Sequence, residues 1–158
     1  RRMALAFGDR AGATDIFLAL RGLRTLELRM RHHEAAGMKV AKWLQQQPQV
    51  KRMLHPAISD CPGHEFWQRD FSGAGGLFSV VLNPVTNDKL RQMVDSLQHF
   101  GIGLSWGGFE SLVLPVSPES MRSATEWNTD EPVLRFSIGN EDIETLLDDL
   151  TQGLARLN

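Results

Sequence analysis

Between residues 15 and 47, apolar or small side chains recur at Leu23, Leu26, Met30, His33, Gly37, Val40 and Leu44, in alternating steps of three and four. That spacing lines up one stripe and predicts a single long amphipathic helix, opened by Ala13, Thr14 and Asp15 and stopped at Pro48. Gly22 and Gly37 lie inside it, each costing about 1 kcal/mol relative to alanine, so a bend or a close backbone contact is expected at those positions. His33 falls on the stripe and reads as a satisfied core histidine rather than a ligand.

The remaining segments supply strands for the helix to cover. Residues 50–55 read as a short strand ended by Pro56, followed by a Pro/Gly loop and a helical turn over 64–69. The run Ser72-Gly73-Ala74-Gly75-Gly76 lacks a Gly-Lys-Ser/Thr ending and precedes a strand, so no phosphate cradle is expected there. Residues 77–82 form an apolar run of strand length. Thr86 or Asn87 then caps a helix striped by Leu90, Met93, Val94, Leu97 and Phe100, and a strand over 102–104 completes a βαβ unit. A strand at 111–116, a polar loop at 117–131 and a strand holding Arg135 follow. In the last helix Asn140 is the expected cap, Glu141 and Asp142 occupy the first turn, and Ile143, Leu146, Leu147, Leu150, Leu154 and Leu157 form the buried face. The expected class is α+β: a small mixed or antiparallel sheet of four or five strands, helices packed on one face, and a long leading helix.

A chain of 158 residues fits one domain, and 17 Lys+Arg against 19 Asp+Glu with no long run of either sign indicates no nucleic-acid or anionic-membrane surface. Arg21, Arg24, Arg29 and Arg31 read as a solvated or subunit-facing surface. The single cysteine, Cys61, allows neither an intrachain disulfide nor a multi-thiolate zinc site and reads as a structural loop residue; no metal site is expected. With no apolar run near the ~20 residues that span a bilayer and no signal peptide, a cytoplasmic protein is expected. The opening Arg1-Arg2-Met3, without an initiator methionine, suggests a piece of a longer chain.

Two stretches carry chemistry. Arg135 stands between Val133, Leu134, Phe136 and Ile138, where burial is expected and an unpaired charge is costly. Its partner is an internal Asp or Glu, or a ligand carboxylate gripped by the guanidinium fork; alternatively the side chain faces outward on a half-exposed strand. About 25 residues earlier, Ser105-Trp106-Gly107-Gly108 forms a turn between apolar runs. Its glycines permit positive φ and close approach, Ser105 offers a donor and acceptor, and Trp106 offers a flat apolar wall with one N–H.

These residues, with Arg21-Gly22-Leu23-Arg24-Thr25-Leu26, His55-Pro56, Gly63-His64-Glu65, Arg69-Asp70-Phe71, the 73–79 segment GAGGLFS, the 105–112 segment SWGGFESL and the 135–142 segment RFSIGNED, occur in the order found in a known family. The chain resembles the C-terminal domain of the pyridoxal-phosphate enzymes of cysteine and methionine metabolism, in particular the bacterial cystathionine β-lyases. The resemblance covers residues 15–158 and leaves 1–14 as an unplaced leader.

It implies that Arg135 binds the α-carboxylate of an amino-acid substrate, that Ser105 hydrogen-bonds nearby, and that Trp106, Leu104, Gly107 and Gly108 shape the pocket. It also implies pyridoxal 5′-phosphate as cofactor, β-elimination of a sulfur amino acid to a thiol, pyruvate and ammonia, and a homotetramer. The Schiff-base lysine, the aspartate at the pyridine nitrogen and the phosphate-binding glycines belong, in that family, to a larger N-terminal domain. None of Lys39, Lys42, Lys51 and Lys89 sits in a matching context, so no catalytic residue is expected in this chain, and the fragment alone is expected to be inactive. The other reading is a non-catalytic binding module that keeps the fold. Leu104 stands where β-lyases of the family commonly carry an aromatic residue and γ-acting relatives an acidic one, which disfavours γ-elimination.

Overall fold

A computed structural model describes residues 3, 6–8, 10–127 and 130–158. The expected leader 1–14 and loop 117–131 therefore fall partly outside the described residues. In chain order the elements are α1 (Ala13–Leu23), α2 (Leu26–Gln45), β1 (Val50–Leu54), α3 (His64–Asp70), β2 (Leu77–Leu82), α4 (Asn87–Ser96), β3 (Phe100–Ile102), β4 (Ser111–Val116), α5 (Pro118–Met121), β5 (Val133–Ser137) and α6 (Ile143–Leu154), with a 3₁₀ turn at Ala155–Leu157. The five strands form one sheet in the order β1-β2-β5-β4-β3. All neighbours are antiparallel except β3 and β4. The class is α+β, as expected.

The single long helix is instead two. Gly22 O near the end of α1 accepts from Thr25 N, from Thr25 Oγ1 and, at 2.9 Å, from Arg29 Nη2. Three donors on one carbonyl, with Thr25 at φ −111° and ψ 8°, break the ladder just after the glycine. The two pieces also differ in environment: α1 has no buried residue, whereas His33, Ala36, Gly37, Val40, Ala41 and Leu44 of α2 are buried. Gly37 marks the closest approach. A Cβ there would lie 3.0 Å from Gly76 Cα, and one on Gly76 would lie 2.6 Å from Ile138 O. The glycine run thus lets helix, loop and the end of β5 stack backbone on backbone. Its Ala74 N–H is taken by Glu34 Oε1 at 3.0 Å, which puts a carboxylate where a phosphate cradle would need its anion.

The βαβ expectation holds in direction but not in adjacency. β2 and β3 run parallel through α4, yet β5 and β4 lie between them. β3 also starts earlier than expected, at Phe100, whose ring is buried against Phe136. Gly103 and Leu104 lie beyond it. At the last helix the cap is Asp142, not Asn140: Asp142 Oδ1 accepts from Thr145 N at 3.1 Å, and that bond holds its carboxyl below the usual range. Asn140 Oδ1 instead meets His33 Nε2 at 3.0 Å, so His33 is the satisfied core histidine its position on the stripe suggested.

Strand alternation sorts the sheet into two faces. Phe78, Val80, Leu82, Val113, Leu134 and Phe136 point into the core with α2, α4 and α6. Cross-strand pairing places Leu54, Ser79, Arg135 and Leu114 in one row on the opposite face, with Arg52, Val81, Val133 and Val116 in the next row.

Candidate substrate-carboxylate site

Arg135 occupies the middle of β5, the central strand, and its neighbours Leu134 and Phe136 are buried in the core. Alternation therefore sends the arginine to the face opposite the one that α2, α4 and α6 pack against. It is half-buried there, and Nη1 donates to Leu104 O at 2.7 Å. Among the described residues it makes no ion pair, so the internal Asp or Glu considered from sequence is not its partner. A guanidinium fork bonded to one carbonyl keeps donors for an anion.

The same hydrogen bond ties the arginine to the turn. Leu104, Trp106 and Phe109 are 67%, 66% and 75% exposed, and Ser105 is exposed as well. Gly107 takes φ +75°, the left-handed conformation expected of it. Gly108 does not adopt positive φ; its role is close approach, since a Cβ would stand 3.3 Å from Glu110 Oε2.

Residues outside the expected set fix this turn against the strand. Ser111 N and Oγ both donate to the Glu141 carboxylate at 2.7 Å, and Ser111 Oγ accepts from Gly139 N at 2.8 Å. Asn140 N donates to Phe109 O at 2.8 Å, and a Cβ on Gly139 would fall 2.3 Å from that oxygen. The base of the turn is thus clamped to the end of the strand that carries Arg135, and Asn140 passes the clamp on to His33 of α2. Sequence reasoning placed Glu141 in a helix first turn and Ser111 simply at a strand start. The available signal was a hydroxyl opening an apolar strand, with an acid two residues after Gly139.

The lysines stand apart. Lys39 pairs with Glu144, Lys51 with Glu131, Lys89 donates to Asn158 O at 2.6 Å, and Lys42 is exposed on α2. The donors at the turn and on β5, a guanidinium, a hydroxyl and an indole, suit an amino-acid carboxylate, and none of the four lysines stands among them to offer an amine for a Schiff base. Cys61 is buried, and burial raises its thiol pKa, leaving it protonated. His55 is buried with Nδ1 accepting from Ala57 N at 3.2 Å, and burial lowers its pKa.

Against known proteins, residues 1–155 match the model of the Cys/Met metabolism PLP-dependent enzymes, a match that includes the first fourteen residues. The chain is 42% identical over 161 residues to cystathionine β-lyase of Escherichia coli, covering 99% of this chain and 41% of that protein. It is 43% identical over 153 residues to an L-alanine/L-glutamate racemase of Wolbachia pipientis, covering 96% of this chain and 38% of that one. A crystal structure of cystathionine γ-synthase from Xanthomonas oryzae in complex with aminoacrylate and cysteine superimposes with a TM-score of 0.81 at 35% identity, over 96% of this chain and 40% of that one. The chain therefore spans about two fifths of the length of the relatives it matches, and with the whole of its sheet and site inside the matched residues it belongs to the Cys/Met metabolism PLP-dependent enzyme family.

Proposed function

We propose that this chain is the C-terminal, substrate-carboxylate-binding domain of a PLP-dependent carbon–sulfur lyase of the cystathionine β-lyase kind, with the catalytic lysine outside residues 1–158. The observation that carries it is Arg135: a half-buried guanidinium on the sheet face away from the core, bonded to Leu104 O and in no ion pair among the described residues, beside a clamped turn that presents Ser105 and Trp106. Pyridoxal phosphate, held by a larger domain of the same polypeptide, would supply the electron sink for losing the Cα proton and a thiolate from Cβ.

This chain's residues do the positioning. Arg135 grips the α-carboxylate and so fixes which Cα bond stands perpendicular to the cofactor plane, while Trp106 and Leu104 keep water from that side. The relatives include a racemase and a γ-synthase, and all three chemistries need the carboxylate held; β-elimination is favoured by Leu104, which offers no acid for γ-chemistry.

The test uses the longer polypeptide with cofactor bound. Cystathionine should yield a thiol and pyruvate, and Arg135→Ala should lower kcat/KM by roughly 30- to 1000-fold, the effect of truncating a hydrogen-bonded charge pair. Release of neither product, or an unaffected R135A variant, rejects the proposal. The binding-module reading rests on the lysines being engaged or exposed elsewhere; it would show carboxylate binding sensitive to R135A without turnover.

A further inference from the structure

Glu141 stands outside the turn yet holds its base. Its two carboxylate oxygens each take one donor of a single residue: Oε1 accepts from Ser111 N and Oε2 from Ser111 Oγ, both at 2.7 Å. The same hydroxyl accepts from Gly139 N at 2.8 Å, so its proton points at Glu141 and a lone pair at Gly139. Ser111 is fully buried, and solvent does not stand in for either partner. Two acceptors side by side are what a carboxylate offers and a carboxamide does not. Glutamine at this position would turn an amide NH2 toward the hydroxyl and leave one buried donor without an acceptor.

Hydrogen bonds lead from this carboxylate to Arg135. The segment 103–110 leaves and rejoins the sheet at β4: Gly103 N donates to Val113 O at 3.4 Å, and Ser111 opens the strand. At its far end Asn140 N donates to Phe109 O at 2.8 Å. Between these anchors the turn meets β5 at Leu104 O, which accepts from Arg135 Nη1. A short loop with both ends fixed has few ways to close, so a shift of residues 109–111 carries Leu104 O with it. Leu104, Ser105, Trp106 and Phe109 are exposed, so packing does little to hold the turn where its ends do not.

We infer that Glu141 is a positioning residue for the carboxylate site: by holding Ser111 it sets the turn 104–110 and, through Leu104 O, the direction in which the Arg135 guanidinium faces its anion. This rests on the role proposed for Arg135 and extends it to a group that acts through the turn rather than on the ligand. A turned guanidinium loses its fit to a carboxylate but costs a neutral amide little, so the effect falls on carboxylate ligands alone.

Calorimetry on the cofactor-loaded long polypeptide compares L-alanine with L-alaninamide, which differ only at the carboxyl. The parent protein should bind L-alanine more tightly, and R135A should remove that preference. E141Q should weaken L-alanine roughly tenfold, the effect of one lost charge-assisted hydrogen bond, and leave L-alaninamide within about twofold. In the R135A background E141Q should change L-alanine binding no further, because the group it directs is gone. S111A keeps the backbone N–H to Glu141 but not the hydroxyl; it should weaken L-alanine selectively by about threefold, and it serves as the test if E141Q folds poorly. Hydrogen exchange read by mass spectrometry should speed up in segment 104–110 of E141Q and stay at the parent rate in β2. Unchanged L-alanine binding in a folded E141Q or in S111A, equal losses for both probes, a further loss when E141Q is added to R135A, or exchange that rises equally in β2 each overturns the positioning role. If R135A keeps the full preference for L-alanine, the carboxylate role of Arg135 fails and the positioning role with it; if R135A loses the preference and E141Q does not, the role of Glu141 alone fails.

Discussion

On β5 two adjacent residues meet opposite surroundings. Phe136 is fully buried, its ring 5.6 Å from that of Phe78 and 5.7 Å from that of Phe100, whereas Arg135 is half-buried with one carbonyl as partner and an exposed indole close by in sequence to that carbonyl. The core face is closed by apolar packing, and two of its buried polar side chains are matched: Asp149 accepts from Gln98 N and His99 N, and His33 meets Asn140. The other face presents Leu104, Trp106 and Phe109 to solvent with a cation among them. Stability resides on the first face and ligand chemistry on the second, and a clamp built from Ser111, Gly139 and Glu141 joins them at the strand end.

If that division is right, the largest loss of stability comes from the closed face. Phe136→Ala removes a ring from between two others and should cost about 3–5 kcal/mol in urea unfolding. A cost near zero would mean the face is not close-packed. At the joint, Gly139→Ala puts a methyl against Phe109 O and should cost about 1–3 kcal/mol while also weakening carboxylate binding. Loss of stability with binding intact would separate the clamp from the site.

Acid should act on the closed face through His55, which burial holds below the ordinary histidine value of 6.5. The unfolded chain binds that proton more readily, so the stability His55 contributes is fully present above pH 6.5 and declines as pH falls through the folded-state value. Unfolding measured from pH 7.5 to 5 should show this slope, and His55→Phe should flatten it; an unchanged slope would assign the acid sensitivity elsewhere. The smallest effect on stability belongs to the open face, where Arg135→Ala should change unfolding by no more than about 1 kcal/mol. A loss as large as that of Phe136→Ala would erase the distinction between the faces.

Much of the closed face was legible in the residue order. The apolar run of β2, the 111–116 strand, the stripe of α4 as far as Val94 and that of α6 occupy the positions that periodicity assigned them, because burial against a second layer enforces period two in strands and 3.6 in helices; Phe100, expected on the α4 stripe, instead opens β3. An irregularity was expected at Gly22, but not a full break, because the break depends on Gly22 O collecting three donors, an arrangement that apolar spacing does not register. Strand order escaped as well. An apolar strand reads the same whether its neighbour is the next in sequence or one that returns sixty residues later.

For the site, the sequence by itself determined which groups are present: a guanidinium in an apolar strand, a hydroxyl and an indole in a glycine turn, and the motif order that identifies the family. Only the tertiary structure decided that Arg135 has no carboxylate partner among the described residues, that it donates to Leu104 O, and that Glu141 and Ser111 lock the turn to β5. The physical reason is that side-chain chemistry is written residue by residue, whereas the partner of a charge depends on cross-strand register and loop closure, which bring together positions as far apart as Lys39 and Glu144 through long-range packing.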